Sequence, residues 1–277
     1  SGQLGLRARP PLGLGSALIG KEEEELVLQV VRNQEPFRYY GHDPAKPPAM
    51  AATLEREFAE KYGFKYALAV TSGTAALECA LAALGVGPGD EVIVPAWSWI
   101  SCFTAVVRVG ATPVLAEIDE TFCLAPGEIS RLVTPKTKCV MVIHFQGVAA
   151  DMERLAAEAH SHGIRVLEDC AEAVGATYKG NSVGQVGEIA IFSFQYHKFM
   201  TSGEGGMVAT NDPVLYERAV RFHDIGLVRP HHAAVVGKPS VPAFSGSQFR
   251  MTELCAAMAL AQLRKVDFIK DHCRRMS

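Results

Sequence analysis

Lys198 is the first candidate for a reactive group, because it stands between a short apolar run and a cluster of glycines. The apolar run covers residues 189–192, and glycines follow at positions 203, 205 and 206. Glycine allows the backbone to pass close to a bulky group or to adopt a positive φ. A lysine held in such surroundings can present its amine to a carbonyl group as a Schiff-base nucleophile. The stretch also fits a plain turn with a solvated lysine, so residues elsewhere must separate the two interpretations.

The rest of the chain alternates between strand patterns and helical patterns. The predicted strands cover residues 66–70, 91–94, 112–116, 138–143, 165–168, 189–192 and 207–210. The predicted helices cover residues 22–32, 50–62, 75–84, 101–109, 152–162 and a long stretch from Thr252 onward. Apolar strands separated by helices predict a mostly parallel central sheet that is covered by helices on both faces. Ligands bind such sheets at the carboxyl ends of the strands, so functional residues are expected just after each strand.

A turn rich in hydroxyl groups follows the strand at 66–70. It reads Thr71-Ser72-Gly73-Thr74 and leads into the helix predicted at 75–84. The free amides of a helix N-terminus, its dipole and nearby hydroxyls can together hold a phosphate group. An ordinary N-cap by Ser72 or Thr74 explains the same pattern. A Walker loop is excluded, because the chain has no G-x-x-x-x-G-K-[ST] run.

Aromatic and acidic residues follow two further strands. Both tryptophans of the chain, Trp97 and Trp99, follow the strand at 91–94, where one could lie flat on a heteroaromatic ring or plug a loop. Glu168 and Asp169 are adjacent at a strand end and point to opposite faces, so only one of them is expected to enter a site. A strand-end carboxylate can keep a ring nitrogen protonated, as an aspartate does for pyridoxal phosphate.

The phosphate cradle, the flat aromatic ring, the strand-end acid and the glycine-flanked lysine occur in chain order after successive strands. In combination they predict pyridoxal 5′-phosphate as the cofactor. His144, which follows the strand at 138–143, is interpreted instead as a hydrogen-bonded structural residue.

Five motifs carry a resemblance to a known family. They are S-G-T-A-A-L at 72–77, G-D-E-V-I-V-P at 89–95, E-D-C-A-E-A-V-G-A at 168–176, F-S-F-Q-Y-H-K…G-E-G-G at 192–206 and F-R-M-T-E-L at 249–254. With them the chain resembles the DegT/DnrJ/EryC1/StrS family of fold-type I, pyridoxal-phosphate-dependent sugar and cyclitol aminotransferases. The resemblance implies an α/β, aspartate-aminotransferase-like large domain and pyridoxal 5′-phosphate as cofactor.

The resemblance also implies roles for individual residues. Lys198 would carry the cofactor as a Schiff base and move a proton, and Asp169 would hold the protonated ring nitrogen. The other cofactor-binding residues that it implies are Gly73, Thr74 and Ser193 at the phosphate, Trp99 on the ring, Glu172 near the 3′-oxygen and Gln248 from the partner subunit. Because that last contact crosses between subunits, the resemblance implies a homodimer. It implies no metal.

Two features depart from the family pattern. The family usually has Asn in G-x-N-[YF]-R-M, where this chain has the longer Gln248. The sequence also ends at Ser277, inside the last predicted helix and before most of the family's C-terminal small domain. We therefore predict an N-terminal arm and helix (1–48), a pyridoxal-phosphate-binding large domain (49–250) and the start of a long helix that leads to a largely missing small domain (251–277).

The composition predicts an ordinary soluble protein that binds neither nucleic acid nor membranes. The 277 residues carry a net charge of −3, and the pI near 6.3 indicates no basic field for a nucleic-acid backbone. No apolar run is long enough to span a bilayer. The seven cysteines are scattered and never form a C-x-x-C pair, which favours buried thiols in the cytoplasm over disulfides or a zinc site.

The leading functional hypothesis is an aminotransferase that moves nitrogen from glutamate or glutamine to a keto-sugar, free or nucleotide-linked, or to a keto-cyclitol. One alternative is a catalytically silent family member that binds the cofactor or a partner without turnover. A lesser alternative is a sugar dehydratase, since related dehydratases have histidine in place of the lysine. His197 lies beside Lys198, but the family register places the lysine at the catalytic position.

Overall fold

The computed structural model describes residues 14–39, 49–238 and 240–276. Its helices are α1 (Leu14–Ala17), α2 (Lys21–Asn33), α3 (Met50–Tyr62), α4 (Gly73–Ala83), α5 (Ile100–Arg108), α6 (Glu128–Leu132), α7 (Met152–Ser161), α8 (Pro213–His223), α9 (Pro230–Val236), α10 (Glu253–Arg264) and α11 (Val266–Met276). Its strands are β1 (Tyr66–Val70), β2 (Glu91–Pro95), β3 (Thr112–Ala116), β4 (Thr137–Ile143), β5 (Arg165–Asp169), β6 (Thr177–Tyr178), β7 (Asn181–Ser182), β8 (Ile189–Ser193) and β9 (Gly206–Thr210). Within these residues, no helix is both long and apolar enough to cross a membrane.

Seven strands form one central sheet in the order β1-β9-β8-β5-β4-β2-β3, and β6 and β7 form a separate hairpin. Strand β9 is antiparallel to both of its neighbours, and the other pairings in the sheet are parallel. The antiparallel pairing of β8 and β9 follows from their connection, because a parallel crossover usually needs a helix and residues 194–205 contain none. The mostly parallel sheet predicted from the sequence is confirmed.

Helices cover both faces of the sheet and produce three layers. Helices α4, α5 and α8 pack on one face. Helices α3 and α10 cover one end of the opposite face, and α6 and α7 cover its other end. Helix α8 was not predicted, although Asp212 caps it and Pro213 occupies its first turn, both of which are helix-start signals.

The alternation of side chains along β5 and β8 decides which residues reach the same side of the sheet. Leu167 and Ile191 pack in the apolar cluster beneath α4. Because side chains repeat every second residue in a strand, Asp169 and Ser193 lie on that same face, one at each strand end. Asp169 pairs with Ile191, two residues before Ser193, so Asp169 and Ser193 both lie at the carboxyl edge of the sheet.

The prediction of one continuous helix from Thr252 onward is wrong. Thr252 caps α10, but the backbone leaves the helical conformation at Lys265, where φ is −110° and ψ is 10°, and α11 begins at the next residue. The Lys265 ammonium donates to the Leu18 carbonyl over 2.6 Å and to Glu23 of α2 over 2.8 Å. These contacts join residues far apart in the sequence, so the local helical pattern cannot reveal the break.

A buried chain of hydrogen bonds ties the N-terminal segment to α8 and α9. His223 Nδ1 contacts the Val220 carbonyl, which can only accept, so this nitrogen carries the proton. His223 Nε2 is then an acceptor, and the Tyr39 hydroxyl donates to it over 3.0 Å. The Tyr39 oxygen accepts from His232 Nε2 at 2.8 Å, and His232 Nδ1 accepts from the Tyr216 hydroxyl at 3.0 Å. The proton of each of these hydrogen bonds is thereby assigned, and the imidazoles of His223 and His232 are both neutral.

This assignment predicts a dependence of stability on pH. Burial, with a contribution from the nearby Arg38, lowers the pKa of His223 from 6.5 to about 4. Because the folded-state pKa lies below the unfolded value, the stabilisation is complete above pH 6.5 and is lost as the pH falls towards about 4. His223→Asn keeps an amide donor for Val220 but removes the titrating ring, and should cost about 1–3 kcal/mol at neutral pH. Urea unfolding should show that the stability gap between the two proteins narrows below pH 6.5; a gap independent of pH would contradict the assignment.

Candidate active site

The carboxyl ends of β1, β2, β4, β5 and β8 lie at one edge of the sheet, and the antiparallel β9 begins at the same edge. This edge brings together the segments that hold most of the sequence-predicted site residues, namely Gly73 and Thr74 after β1, Trp99 after β2, Asp169 and Glu172 at β5, and Ser193 and Lys198 at β8. The edge therefore has the composition expected from the sequence.

The first turn of α4 approaches the end of β8 very closely. Ser72 caps the helix, and its hydroxyl accepts from the Ala75 amide at 3.0 Å. A Cβ on Gly73 would lie 2.8 Å from Ser193 Cβ and 3.0 Å from its hydroxyl, and a Cβ on Gly206 would lie 2.4 Å from the Ser72 carbonyl oxygen. Only glycine permits both approaches. The N-cap interpretation is confirmed, and the same geometry sets the Ser193 hydroxyl beside the first turn of the helix.

Asp169 is a buried carboxylate that accepts hydrogen bonds from neutral donors of the described residues. It is 4% exposed, and it accepts from the Ala171 amide at 2.9 Å and from the Cys102 thiol at 3.3 Å. Burial raises the pKa of Asp169, while these two hydrogen bonds and the charge of Lys198 lower it. A carboxylate in this setting is suited to bind a cationic N–H group, because a buried charge needs an opposite charge to offset its desolvation.

Glu168 points to the opposite side of the sheet, as the strand pattern predicts. It is fully buried and accepts from His144 Nε2 at 2.9 Å. Its oxygens also accept from three backbone amides of the loop before β8, those of Gly184, Val186 and Gly187. His144 Nδ1 accepts from the Ala150 amide at 3.2 Å, so this histidine has the structural role expected of it. Only Asp169 of the acidic pair faces α4.

Lys198 forms an ion pair with Glu172. Its Nζ lies 3.1 Å from Glu172 Oε1, and both side chains are partly exposed. The second oxygen of Glu172 accepts from the Gln146 amide at 3.1 Å. Gln146 has a φ of 48°, a left-handed conformation that is uncommon for residues with a Cβ and often occurs at functional sites. The carboxylate of Glu172 thus holds the lysine amine at the site.

Trp99 precedes α5 and is 72% exposed. Trp97 is 55% exposed and packs at a ring distance of 6.1 Å from Phe122. The sequence left open whether a tryptophan stacks on a ring or plugs a loop. Since both side chains are exposed, neither is a buried plug beneath a loop. Trp99 has a free face that can accept a ring, and its stacking role stays a prediction.

Gln248 lies in a segment that is anchored on both sides. The Phe249 carbonyl accepts from the Thr71 amide at 3.0 Å, and the Phe249 amide donates to the His223 carbonyl over 2.8 Å. The Ser247 amide donates to the Phe222 carbonyl over 2.7 Å. These bonds fix the neighbours of Gln248 and leave its own side chain exposed.

Three residues that the sequence did not single out contact the predicted site residues. Ser101 accepts from the Thr74 hydroxyl at 2.9 Å, Cys102 donates to Asp169, and Gln146 binds Glu172. Ser101 and Cys102 directly follow the Trp99 motif, so their position was a signal that could have been used. Gln146 had no such signal, because its backbone conformation is not visible in the sequence.

A mostly parallel sheet with one antiparallel strand, covered by helices, is the fold of the large domain of fold-type I aminotransferases. Residues 42–276 match the DegT/DnrJ/EryC1/StrS aminotransferase family, and the chain belongs to this family. The resemblance noted in the sequence is confirmed.

Several members of this family are similar over most of the chain. GDP-perosamine synthase from Escherichia coli O157:H7 is 44% identical over 217 residues, which cover 77% of this chain and 57% of that protein. The Vibrio cholerae enzyme of the same name is 40% identical over 217 residues, which cover 78% of this chain and 57% of that protein. The chain thus spans less than two thirds of the length of these relatives.

Solved structures agree with the fold. The crystal structure of 3-amino-5-hydroxybenzoic acid synthase superimposes with a TM-score of 0.81 at 38% identity, over 90% of this chain and 62% of that one. An aminotransferase from Psychrobacter cryohalolentis gives a TM-score of 0.79 at 38% identity, over 89% and 62%. The PLP-form of Spr1654 from Streptococcus pneumoniae gives 0.77 at 27% identity, over 90% and 65%.

Proposed function

We propose that this chain is the cofactor-binding part of a pyridoxal-phosphate-dependent aminotransferase. The amino donor is glutamate or glutamine, and the acceptor is a keto-sugar or a keto-cyclitol. The similarity to enzymes named GDP-perosamine synthase, at 40–44% identity, favours a nucleotide-linked keto-sugar as the acceptor.

The observation that carries the proposal is the juxtaposition, at one edge of the sheet, of a buried carboxylate without a cationic hydrogen-bond donor and a lysine held by a carboxylate. Asp169 has two neutral donors in the described part of the chain, which suits a protonated ring nitrogen. The close approach of Gly73 to Ser193 leaves helix amides and a hydroxyl together, which suits a phosphate. These residues fit pyridoxal phosphate, one group at each end of the molecule.

Each residue then has a defined task. The amides of Gly73 and Thr74 and the hydroxyl of Ser193 bind the phosphate, and Trp99 covers one face of the ring. Asp169 accepts a hydrogen bond from the ring nitrogen and keeps that nitrogen protonated. When bound, the cofactor supplies an electron-accepting ring that stabilises a carbanion.

Lys198 is the general acid and base of the proposed reaction, and Glu172 orients it. The Nζ atom takes up and returns a proton, and Glu172 Oε1, 3.1 Å away, holds it in place between transfers. His197 is exposed and precedes the lysine that contacts Glu172. That placement favours amino transfer over the dehydratase alternative, which would use a histidine.

A homodimer is part of the proposal. The exposed Gln248 side chain, on a segment that is hydrogen bonded on both sides, is available to reach the phosphate in a partner subunit. We assign residues 1–48 to an N-terminal arm and helix, 49–250 to the cofactor-binding domain, and 251–277 to a helical segment that packs on that domain and leads towards a small domain. The scattered cysteines favour the cytoplasm as its location.

The proposed activity is tested by absorbance spectroscopy. Purified protein is mixed with pyridoxal phosphate, then with glutamate or glutamine, and finally with a GDP-linked keto-sugar or a free keto-cyclitol. A visible band that bleaches with one donor and returns with one acceptor is expected. A band that no donor bleaches would overturn the aminotransferase activity and favour the silent alternative, and the absence of any band would overturn the cofactor assignment.

Gly73→Ala is expected to weaken cofactor binding. The new Cβ would lie 2.8 Å from Ser193 Cβ, so the first turn of α4 and the end of β8 must move apart. Loss of one hydrogen bond to a charged phosphate costs about 1.5–3 kcal/mol, which raises the Kd by about tenfold or more. Fluorescence titration with pyridoxal phosphate measures this change.

Gly87→Ala is the matched control for that substitution, because a Cβ at Gly87 has no atom within 4 Å. Its Kd should equal that of the wild type. If the Gly73→Ala variant and the wild type bind pyridoxal phosphate with equal affinity, α4 is not part of the phosphate site.

A further inference from the structure

The first turn of α5 contacts two residues with different predicted tasks. The hydroxyl of Thr74, whose amide is assigned to the phosphate, donates to Ser101 over 2.9 Å. One residue later, the Cys102 thiol donates to Asp169 over 3.3 Å. Trp99, the residue assigned to the face of the ring, occupies the N-cap position of the same helix. A single helical turn thereby connects both ends of the proposed cofactor site.

The contact between Cys102 and Asp169 is buried and joins distant parts of the chain. Cys102 is 2% exposed and Asp169 is 4% exposed. The thiol donates to Oδ2, while Oδ1 accepts from the Ala171 amide at 2.9 Å. Burial raises the pKa of the Cys102 thiol far above its usual range, and the charge of Asp169 raises it further. The thiol therefore stays protonated and acts as a donor to the carboxylate.

We propose that Cys102 is a positioning residue for Asp169, whose thiol orients the carboxylate and favours its ionised form. This inference rests on the proposed function, in which Asp169 keeps the ring nitrogen protonated. The carboxylate and the ring nitrogen compete for one proton. A hydrogen-bond donor to the carboxylate lowers the carboxylate's affinity for that proton, so the proton stays on the nitrogen.

The energetic balance at Asp169 supports this role. Burial raises the pKa of Asp169, which opposes the ionised form that the proposed task requires. The Ala171 amide and the Cys102 thiol are the leading hydrogen-bond contributions that lower it again. The Ala171 amide is a backbone group that most substitutions would preserve. The Cys102 thiol, in contrast, is a side-chain donor, so a substitution at this position can change the pKa of Asp169.

A purely structural explanation also exists, because Cys102 packs in the apolar cluster beneath α4 together with Cys79. In that case the thiol fills space, and any small apolar side chain would serve. The two explanations differ in whether the hydrogen-bond donor at position 102 matters. Cys102→Ser keeps a donor in a similar volume, whereas Cys102→Ala removes it, and Cys79→Ala is a matched loss of a buried thiol in the same cluster.

Infrared spectroscopy of the protein without cofactor tests the hydrogen bond directly. The difference between wild type and Cys102→Ala isolates the S–H stretch of this thiol, which a hydrogen bond to a carboxylate shifts to lower frequency. Asp169→Asn should move the band back to higher frequency. A band that is unchanged by Asp169→Asn would overturn the proposal. This measurement needs no activity, so it separates failure of the inference from failure of the proposed function.

The kinetic consequence is measured on the cofactor-loaded protein by stopped-flow mixing with the amino donor. Cys102→Ala should slow the donor half-reaction about tenfold, as expected for loss of a hydrogen bond to a charged group, and Cys102→Ser should recover most of the rate. Cys79→Ala should match the wild type. Equal rates for the Cys102→Ala and Cys79→Ala variants, or no rescue by serine, would overturn the positioning role.

Discussion

Lys198→Ala should abolish amino transfer, with a loss of at least about 10⁴-fold, because the substitution removes both the nucleophile and the general base. Covalent attachment of the cofactor should disappear at the same time. Mass spectrometry after borohydride reduction measures that attachment, and the donor-dependent absorbance change measures the half-reaction. The expected loss is large because no described side chain but Lys198 donates from an amine to Glu172.

Lys198→Arg is the control for charge. It keeps a cation that can pair with Glu172, which in the wild type lies 3.1 Å from the amine, but a guanidinium cannot act as the nucleophile. Both variants should unfold near the wild-type temperature, since the pair is partly exposed. Retained covalent attachment in either variant would show that another lysine carries the cofactor.

Asp169→Asn should slow the donor half-reaction by about 30-fold or more. Removing one partner of a buried, hydrogen-bonded charge pair costs about 2–5 kcal/mol. The amide is nearly isosteric, so the Ala171 contact to the first oxygen can remain. The ring nitrogen would lose the carboxylate that keeps it protonated, so the rate should fall more than the affinity for pyridoxal phosphate. Stopped-flow absorbance and an equilibrium titration measure the two effects separately.

The adjacent Glu168 offers a matched control. It is as buried as Asp169 but faces the other side of the sheet, where it binds His144 and the loop before β8. Glu168→Gln should lower the thermal unfolding midpoint with little change in the half-reaction rate. An equal loss of rate in both variants would mean that Asp169 acts through stability alone.

The first turn of α5 links the residues assigned to the phosphate with the residue assigned to the ring nitrogen. Ser101 contacts the hydroxyl of Thr74, and Cys102 contacts Asp169. A change in the position of this turn would disturb the phosphate end and the ring end of the site together. Substitutions in this turn should therefore lower both the affinity for the cofactor and the reaction rate. Substitutions of Lys198 should not change the two together in this way.

The sequence by itself determined the local elements and the residue types of the site. Short apolar runs and helical periodicity depend on neighbouring residues, so all seven strands of the sheet were located, with ends within one residue. The alternation of side chains along a strand separated Glu168 from Asp169, because adjacent side chains face opposite ways. The motif set identified the family, which the match over residues 42–276 confirmed.

Only the tertiary structure decided how distant segments meet. The bond between Cys102 and Asp169 joins residues 67 positions apart, and the contact of Lys265 with Leu18 spans 247 positions. Both result from packing of helices against the sheet and against each other, which local patterns do not encode. For that reason the sequence identified Lys198 and Asp169 but missed the thiol beside the aspartate and the break between α10 and α11.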